Sequence, residues 1–188
     1  SEARSIIEEH KESLKVDLYE TYYKKLIEYG DPEASFRLGI LYEGSSYDGD
    51  MIERNYHQAI NYYKVSAELG NLKAMNNLGR MYGKGLGVEV DHQESINWYT
   101  RAIKHLHGPA CFNLGTKYVN GTGVEKDYIL AAMWMQLAII FGDFASERQK
   151  DLTMQNIHQL FENLSEEEKN ISLKCVSDYL IENNFSVK

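Results

Sequence analysis

The segment AMNNLGRMYGK, Ala74 to Lys84, places Ala74, Leu78 and Tyr82 at i, i+4 and i+8, one stripe of an α-helix. The same spacing returns in ASFRLGILYEG (Ala34 to Gly44) and in ACFNLGTKYVN (Ala110 to Asn120). Three copies of Ala-x3-Leu-Gly-x2-Tyr thus start 40 and then 36 residues apart. A recurrence at this interval is the mark of a repeat array.

A second pattern follows each copy. Ala59, Tyr62, Tyr63 and Ser66 are matched by Ser95, Trp98, Tyr99 and Ala102, and again by Ala131, Trp134, Met135 and Ala138. Small residues seven apart around a bulky pair mark one face of a helix. With the first helix called A and the second B, neither can bury its stripe alone, so successive pairs must stack. Gly39, Gly79 and Gly115 each fall in the middle of an A helix, where glycine costs about 1 kcal/mol relative to alanine. The missing side chain lets helix B approach closely, and Trp98 or Trp134 is the expected filler. Helix starts agree with this division: Asn55, Asp91 with Glu94, and Asp127 are capping residues for the three B helices. Asp31-Pro32 and Gly108-Pro109 put proline where a first helical turn tolerates it.

The glycine-rich stretch YGKGLGVEVD (Tyr82 to Asp91) raises the question of a phosphate site. A phosphate loop leaves a β-strand and enters a helix, so that backbone N–H groups converge on the anion. This one leaves a helix, and its counterpart GTGVEKD (Gly121 to Asp127) follows 36 residues later in the same context. The glycines therefore supply positive φ to an A-to-B turn. Val88 and Val124 are expected to plug that turn into the neighbouring repeat.

At these residues the chain resembles the Sel-one-like repeat (SLR) family, relatives of the tetratricopeptide repeat. The family pattern A-x3-LG-x2-Y-x2-G-x-GV-x2-D-x3-A-x2-WY-x2-A is met almost fully by Ala74 to Ala102 and by Ala110 to Ala138. The resemblance implies an all-α fold, a right-handed superhelical solenoid of antiparallel αα-hairpins with helical caps, used as an interaction scaffold without catalytic residues. It divides a single repeat domain of residues 1–188 into an N-terminal helical cap or degenerate repeat (1–30), repeats at 34–70, 74–106 and 110–142, and C-terminal capping helices (144–188). Leu14 to Gly30 reads as a degenerate B helix, with Tyr22, Tyr23 and Gly30 in register. Three departures stand out. Repeat one carries four extra residues in its turn, Ser45 to Arg54. Repeat two has Leu106 where Gly70 and Gly142 stand in its neighbours, leaving its exit open. After Asp143 the pattern lapses, and Leu164 to Asn183 opens on a Ser165-x-x-Glu168 capping box, as a terminal cap with a polar outer face should.

Composition narrows the function. With 28 acidic and 20 basic side chains the net charge is −8, which argues against nucleic acid as partner and favours a protein or peptide with a basic surface. Cys111 and Cys175 lie 64 residues apart with no CxxC and read as buried free thiols. The longest apolar run, Leu137 to Phe141, falls far short of the roughly 20 residues of a membrane span, so no membrane insertion is expected. Residue 1 is serine rather than methionine; a start codon, signal peptide or anchor removed ahead of it is compatible with the numbering, and a cytoplasmic or a periplasmic or secreted setting both stay open. His105 and His107 are two apart and on a helix face different ways, so they share no metal. Asp48-Gly49-Asp50 lacks the other ligands of a calcium loop and reads as a turn. No cofactor is expected.

What remains is the inner surface. On the geometry of the tetratricopeptide relatives, A-helix positions around the Leu-Gly pair face the concave side. These are Phe36, Arg37 and Ile40; Asn76, Asn77 and Arg80; and Phe112, Asn113 and Thr116. Arg37, Asn77 and Asn113 are equivalent and form a row in which amides grip a peptide backbone, while Arg37 and Arg80 add charge-assisted bonds to a carboxylate. A solvated polar face without a ligand is the alternative. Tyr47, Asp48 and Asp50 are a loop contact candidate, since long loops of repeat arrays often sit at a binding face. The expected function is a non-enzymatic scaffold holding a protein or peptide in its concave groove. The alternatives are an inhibitor or immunity-type protein occluding a toxin or enzyme, or a secreted or envelope factor acting on a host or cell-wall process.

Overall fold

Residues 18, 20–44, 54–144 and 146–185 are described by the computed structural model, and every regular element among them is helical. Helix α1 covers residues 20–28; then come α2 (Pro32–Glu43), α3 (Tyr56–Glu68), α4 (Leu72–Lys84), α5 (His92–Ile103), α6 (Gly108–Asn120), α7 (Tyr128–Phe141), α8 (Glu147–Glu162) and α9 (Glu166–Glu182). The A helices are α2, α4 and α6; the B helices are α3, α5 and α7. The chain folds as two compact units, one ending at Asp91 and the other beginning at His92. Of the predicted N-terminal helix, Leu14 to Asp17 and Tyr19 lie outside the described residues.

Side-chain caps start most of these helices. Asp31 accepts from the amides of Glu33 (2.9 Å) and Ala34 (3.4 Å), with Pro32 in the first turn. Asn55 accepts from Gln58 N–H at 3.1 Å and Asp127 from Leu130 N–H at 2.8 Å, as their positions predict. The Ser165 hydroxyl and Glu168 carboxylate close the expected capping box reciprocally.

In the first unit α2 and α3 pair most closely at Gly39. A methyl group there would run into the ring of Tyr63, which is itself fully buried. In the second unit Gly115 on α6 plays the same part: a Cβ would lie 2.9 Å from Met135 Cγ and 3.0 Å from the Ala131 carbonyl. In these two hairpins the filler is therefore the second residue of the bulky pair, and the expectation of Trp134 is corrected. Neighbouring residues on a helix point about 100° apart, so only one of the pair can address the glycine. Trp134 turns instead to α9, meeting the Tyr179 ring edge-on at 5.2 Å. Trp98 is buried, with the Arg101 guanidinium 4.2 Å from its ring centroid.

The A-to-B turns use left-handed glycines, Gly85 and Gly87 at φ 68° and 73°, Gly121 and Gly123 at 70° and 80°. Each turn is closed by the N–H of the residue before helix B donating to the tyrosine carbonyl of helix A: Asn55 to Tyr42 (2.8 Å), Asp91 to Tyr82 (3.0 Å), Asp127 to Tyr118 (3.1 Å). Repeat one keeps this bond across its longer turn, of which residues 45–53 lie outside the described residues. A close approach is made at the second glycine, and Val88 and Val124 beside it are half-buried. A Cβ on Gly87 would lie 2.6 Å from Tyr56 Cβ, and one on Gly123 2.5 Å from His92 Cβ. Each turn thus sits on the first residue of the preceding B helix.

The exits of α3 and α5 repeat one hydrogen-bond pair. Gly70 donates to Ala67 (3.0 Å) and Asn71 to Ser66 (3.0 Å); Leu106 donates to Ile103 (2.9 Å) and His107 to Ala102 (3.3 Å). This is the Schellman arrangement, which wants a left-handed residue at its first position. Gly70 supplies it at φ 91°, and Leu106 adopts it at φ 64° despite its Cβ. At the C-terminus α8 and α9 each pack against α7, and Gln136 on α7 donates to the buried Ser172 hydroxyl on α9. Leu173 and Ile181 on α9 stay exposed, so the outer face is less polar than the capping role suggested.

Two substitutions test these contacts. Leu106→Gly relieves a left-handed cost of about 1–2 kcal/mol, and Leu106 is already 39% exposed; after the added freedom of the unfolded chain the protein should gain about 0.5–1 kcal/mol in urea unfolding. Gly39→Ala adds helix propensity worth about 1 kcal/mol but overpacks the Tyr63 ring at about 1–3 kcal/mol, so the midpoint should fall rather than rise.

Candidate functional site

In the first unit the singled-out positions divide by environment. Phe36 is buried, its ring centroid 5.8 Å from that of Tyr63, and belongs to the hairpin core rather than to an open surface. Arg37 and Ile40 on α2, and Asn76, Asn77 and Arg80 on α4, are half-buried. Both arginines already face carboxylates of the chain: Arg37 pairs with Glu33 one turn back at 3.1 Å, and Arg80 pairs with Glu43 at the end of α2. Glu43 also accepts from the Tyr63 hydroxyl at 2.9 Å, and Asn77 bonds the same phenol. Burial first, and then the Glu43 charge, push the Tyr63 phenol well above its ordinary range, which keeps it a donor. The result is a chain Arg80–Glu43–Tyr63–Asn77 joining the face of α4 to the hairpin core.

In the second unit α6 carries Phe112, Asn113 and Thr116, all half-buried. Thr116 Oγ1 donates to the Phe112 carbonyl at 3.0 Å. Phe112 and Thr116 line a groove of about 670 Å³ between α6, α7 and α8. Its floor is apolar, with Phe112, Val119, Met135, Leu160 and Leu164, and Tyr128 stands beside it. The rim carries the carboxamides of Asn120, Asn156, Gln159 and Asn163. Asn163 already donates to the Gln159 carbonyl at 2.8 Å.

The contribution of α8 was not anticipated, because that helix carries no repeat motif. Its signal was nonetheless present: Asn156, Gln159, Leu160 and Asn163 stand at i, i+3, i+4 and i+7, an amide-and-leucine stripe. His107 lies in the α5–α6 turn, is 2% exposed, and its Nδ1 is 2.9 Å from Asp143 Oδ2. Cys111 is buried and its thiol pushed far up by burial, which makes it inert, whereas Cys175 is half-exposed rather than buried. Tyr47, Asp48 and Asp50 lie outside the described residues. Among the described residues no three His, Cys, Asp or Glu side chains group so as to hold a metal, and no helix is long and apolar enough to cross a membrane.

Three stretches of the chain, residues 32–71, 72–105 and 108–139, match the model of the Sel1 repeat. No curated protein sequence matches this chain. Among solved structures, c5321, a protective antigen present in uropathogenic Escherichia coli and displaying an SLR fold, is similar with a TM-score of 0.70 at 24% identity. That alignment covers 86% of this chain and 32% of the other. A Sel1 repeat protein from Oxalobacter formigenes gives a TM-score of 0.58 at 31% identity over 66% of this chain and 49% of the other. This chain therefore spans about a third to a half of the length of those two proteins. The immunity protein Pa5087 from Pseudomonas aeruginosa aligns at 17% identity, covering 81% of this chain and 73% of its own, with a TM-score of 0.36. Matched repeat units cover more than half of the sequence, and their boundaries fall at the hairpins formed by the Ala-Leu-Gly-Tyr and small-bulky-small stripes: the chain belongs to the Sel1 repeat family.

Proposed function

We propose that the chain is a non-enzymatic scaffold that holds a protein or peptide partner on the faces of its A helices. Sel1 repeats generally mediate protein–protein interaction, which supports the class of partner. The observation that carries the reading is the groove of the second unit. Phe112 and Thr116, picked out by their place in the repeat, line an open cavity of about 670 Å³. In the first unit Arg37, Ile40, Asn76, Asn77 and Arg80 are the contact residues of this reading, and Asn113 continues it on α6. The Tyr47, Asp48 and Asp50 loop is kept as a second contact.

The ion pairs decide which variants test it. Arg80→Ala strips the charge partner of Glu43, whose side chain is 17% exposed, and should itself cost about 1–2 kcal/mol in thermal unfolding. Loss of binding in that variant is ambiguous. Arg37→Ala loses a surface pair one turn apart, worth about 0.3–0.5 kcal/mol. Affinity capture from native lysate with Arg37→Ala and Phe112→Ser variants should therefore lose the partner while circular dichroism melts remain cooperative. Capture undiminished by both substitutions overturns the face assignment.

A second reading, an inhibitor that occludes a basic toxin or enzyme, is supported by the net charge of −8. Opposite charge raises association rates more than affinity. On this reading the association rate measured by stopped flow should fall about tenfold from low to physiological salt, whereas a flat salt dependence argues for a neutral partner.

A further inference from the structure

The groove between α6, α7 and α8 has a chemical character that the interaction reading does not specify. Charged residues make up 26% of the chain, yet none of the eleven side chains lining this groove is charged. A carboxylate or ammonium entering it loses hydration with no opposite charge to meet, which costs several kcal/mol. A neutral occupant escapes that penalty. Among the described residues the carboxamides of Asn120, Asn156 and Gln159 hold no hydrogen-bond partner within the protein. Each carboxamide presents one acceptor and two donors, the complement of a peptide group. A helix has already spent its backbone groups internally, whereas an extended segment leaves its N–H and C=O groups open at every residue. An apolar floor of Phe112, Val119, Met135 and Leu160 then suits the side chains that such a segment turns downward.

We propose that this groove binds an extended, uncharged, apolar segment internal to a partner polypeptide, its side chains on the α6–α7 floor and its backbone paired by Asn120, Asn156 and Gln159. The proposal rests on the scaffold reading and narrows it: the charge-assisted grip on a terminal carboxylate is replaced, at this groove, by neutral backbone pairing.

The test is fluorescence anisotropy on the full chain with short labelled peptides, acetylated and amidated at their ends, alternating Leu or Val with Ser or Gln. Matched probes carry Lys or Glu in place of one of the apolar residues, or a free C-terminal carboxylate. The neutral capped peptide should bind, the charged versions should bind at least about tenfold more weakly, and a free carboxylate should bring no gain. Asn156→Ala with Gln159→Ala removes two hydrogen bonds from a solvent-facing rim and should weaken binding about tenfold without lowering the melting temperature. Val119→Glu, which places a charge on the floor, should abolish it. Equal binding of charged and neutral peptides, a preference for the free carboxylate, or indifference to the Asn156/Gln159 pair overturns the proposal. Native-partner capture that is lost with Arg37→Ala but untouched by the Asn156/Gln159 substitutions overturns this inference alone and leaves the scaffold reading standing.

Discussion

The hairpins depend on a side chain that is absent. Gly39 and Gly115 leave a hole in the face of an A helix, into which Tyr63 and Met135 of the following helix descend. The glycine costs about 1 kcal/mol of helix propensity. Full burial of a side chain of this size recovers about 1.5–3 kcal/mol, so the exchange favours the close-packed hairpin. Because the opening admits one side chain only, it also fixes the rotation of helix B. That rotation places the A-helix residues beside the Leu-Gly pair at the surface, where Arg37, Asn77 and Thr116 are found.

Turns and exits hold the hairpins with backbone bonds that tolerate sequence change. The tyrosine carbonyl of each A helix takes the N–H of the residue before helix B in all three repeats, including the one with four additional turn residues. Loop-closure entropy rises only logarithmically, by about 0.6 kcal/mol for a doubling of length, so the insertion leaves the closing bond intact. The Schellman exit likewise survives with leucine at position 106, since the two backbone bonds and the burial of Ala102 and Ile103 outweigh a strained φ.

Helix boundaries, caps and turn glycines were legible in the sequence because each depends on residues within about five positions of one another. The all-helical repeat was legible because its stripes recur. The sequence was silent where the deciding partner lies far along the chain. Which of Trp134 and Met135 fills the gap at Gly115 is settled by Tyr179 on α9, which offers the indole a second place to pack. Arg80 read as a free cation until Glu43, on another helix, was brought beside it. Phe36 read as a surface contact because its position in the repeat fits that face, yet its ring finds Tyr63. The buried His107 meets Asp143, which likewise lies beyond the range of any local pattern.

The two units put the same face of the A helix to different electrostatic use. On α4 the polar groups are tied into the Arg80–Glu43–Tyr63–Asn77 chain, so charge is present but internally matched, and a ligand must compete with an existing carboxylate to engage it. On α6 the equivalent region opens into a groove whose apolar floor is shared by α6, α7 and α8, and α7 is apolar along most of its length because α6, α8 and α9 all pack against it. A helix so enclosed brings no charge to the groove, and the amides of Asn120, Asn156, Gln159 and Asn163 are left as its polar groups. Selectivity there follows from desolvation: a neutral backbone exchanges water for carboxamides at little cost, while an ion exchanges water for nothing of opposite sign.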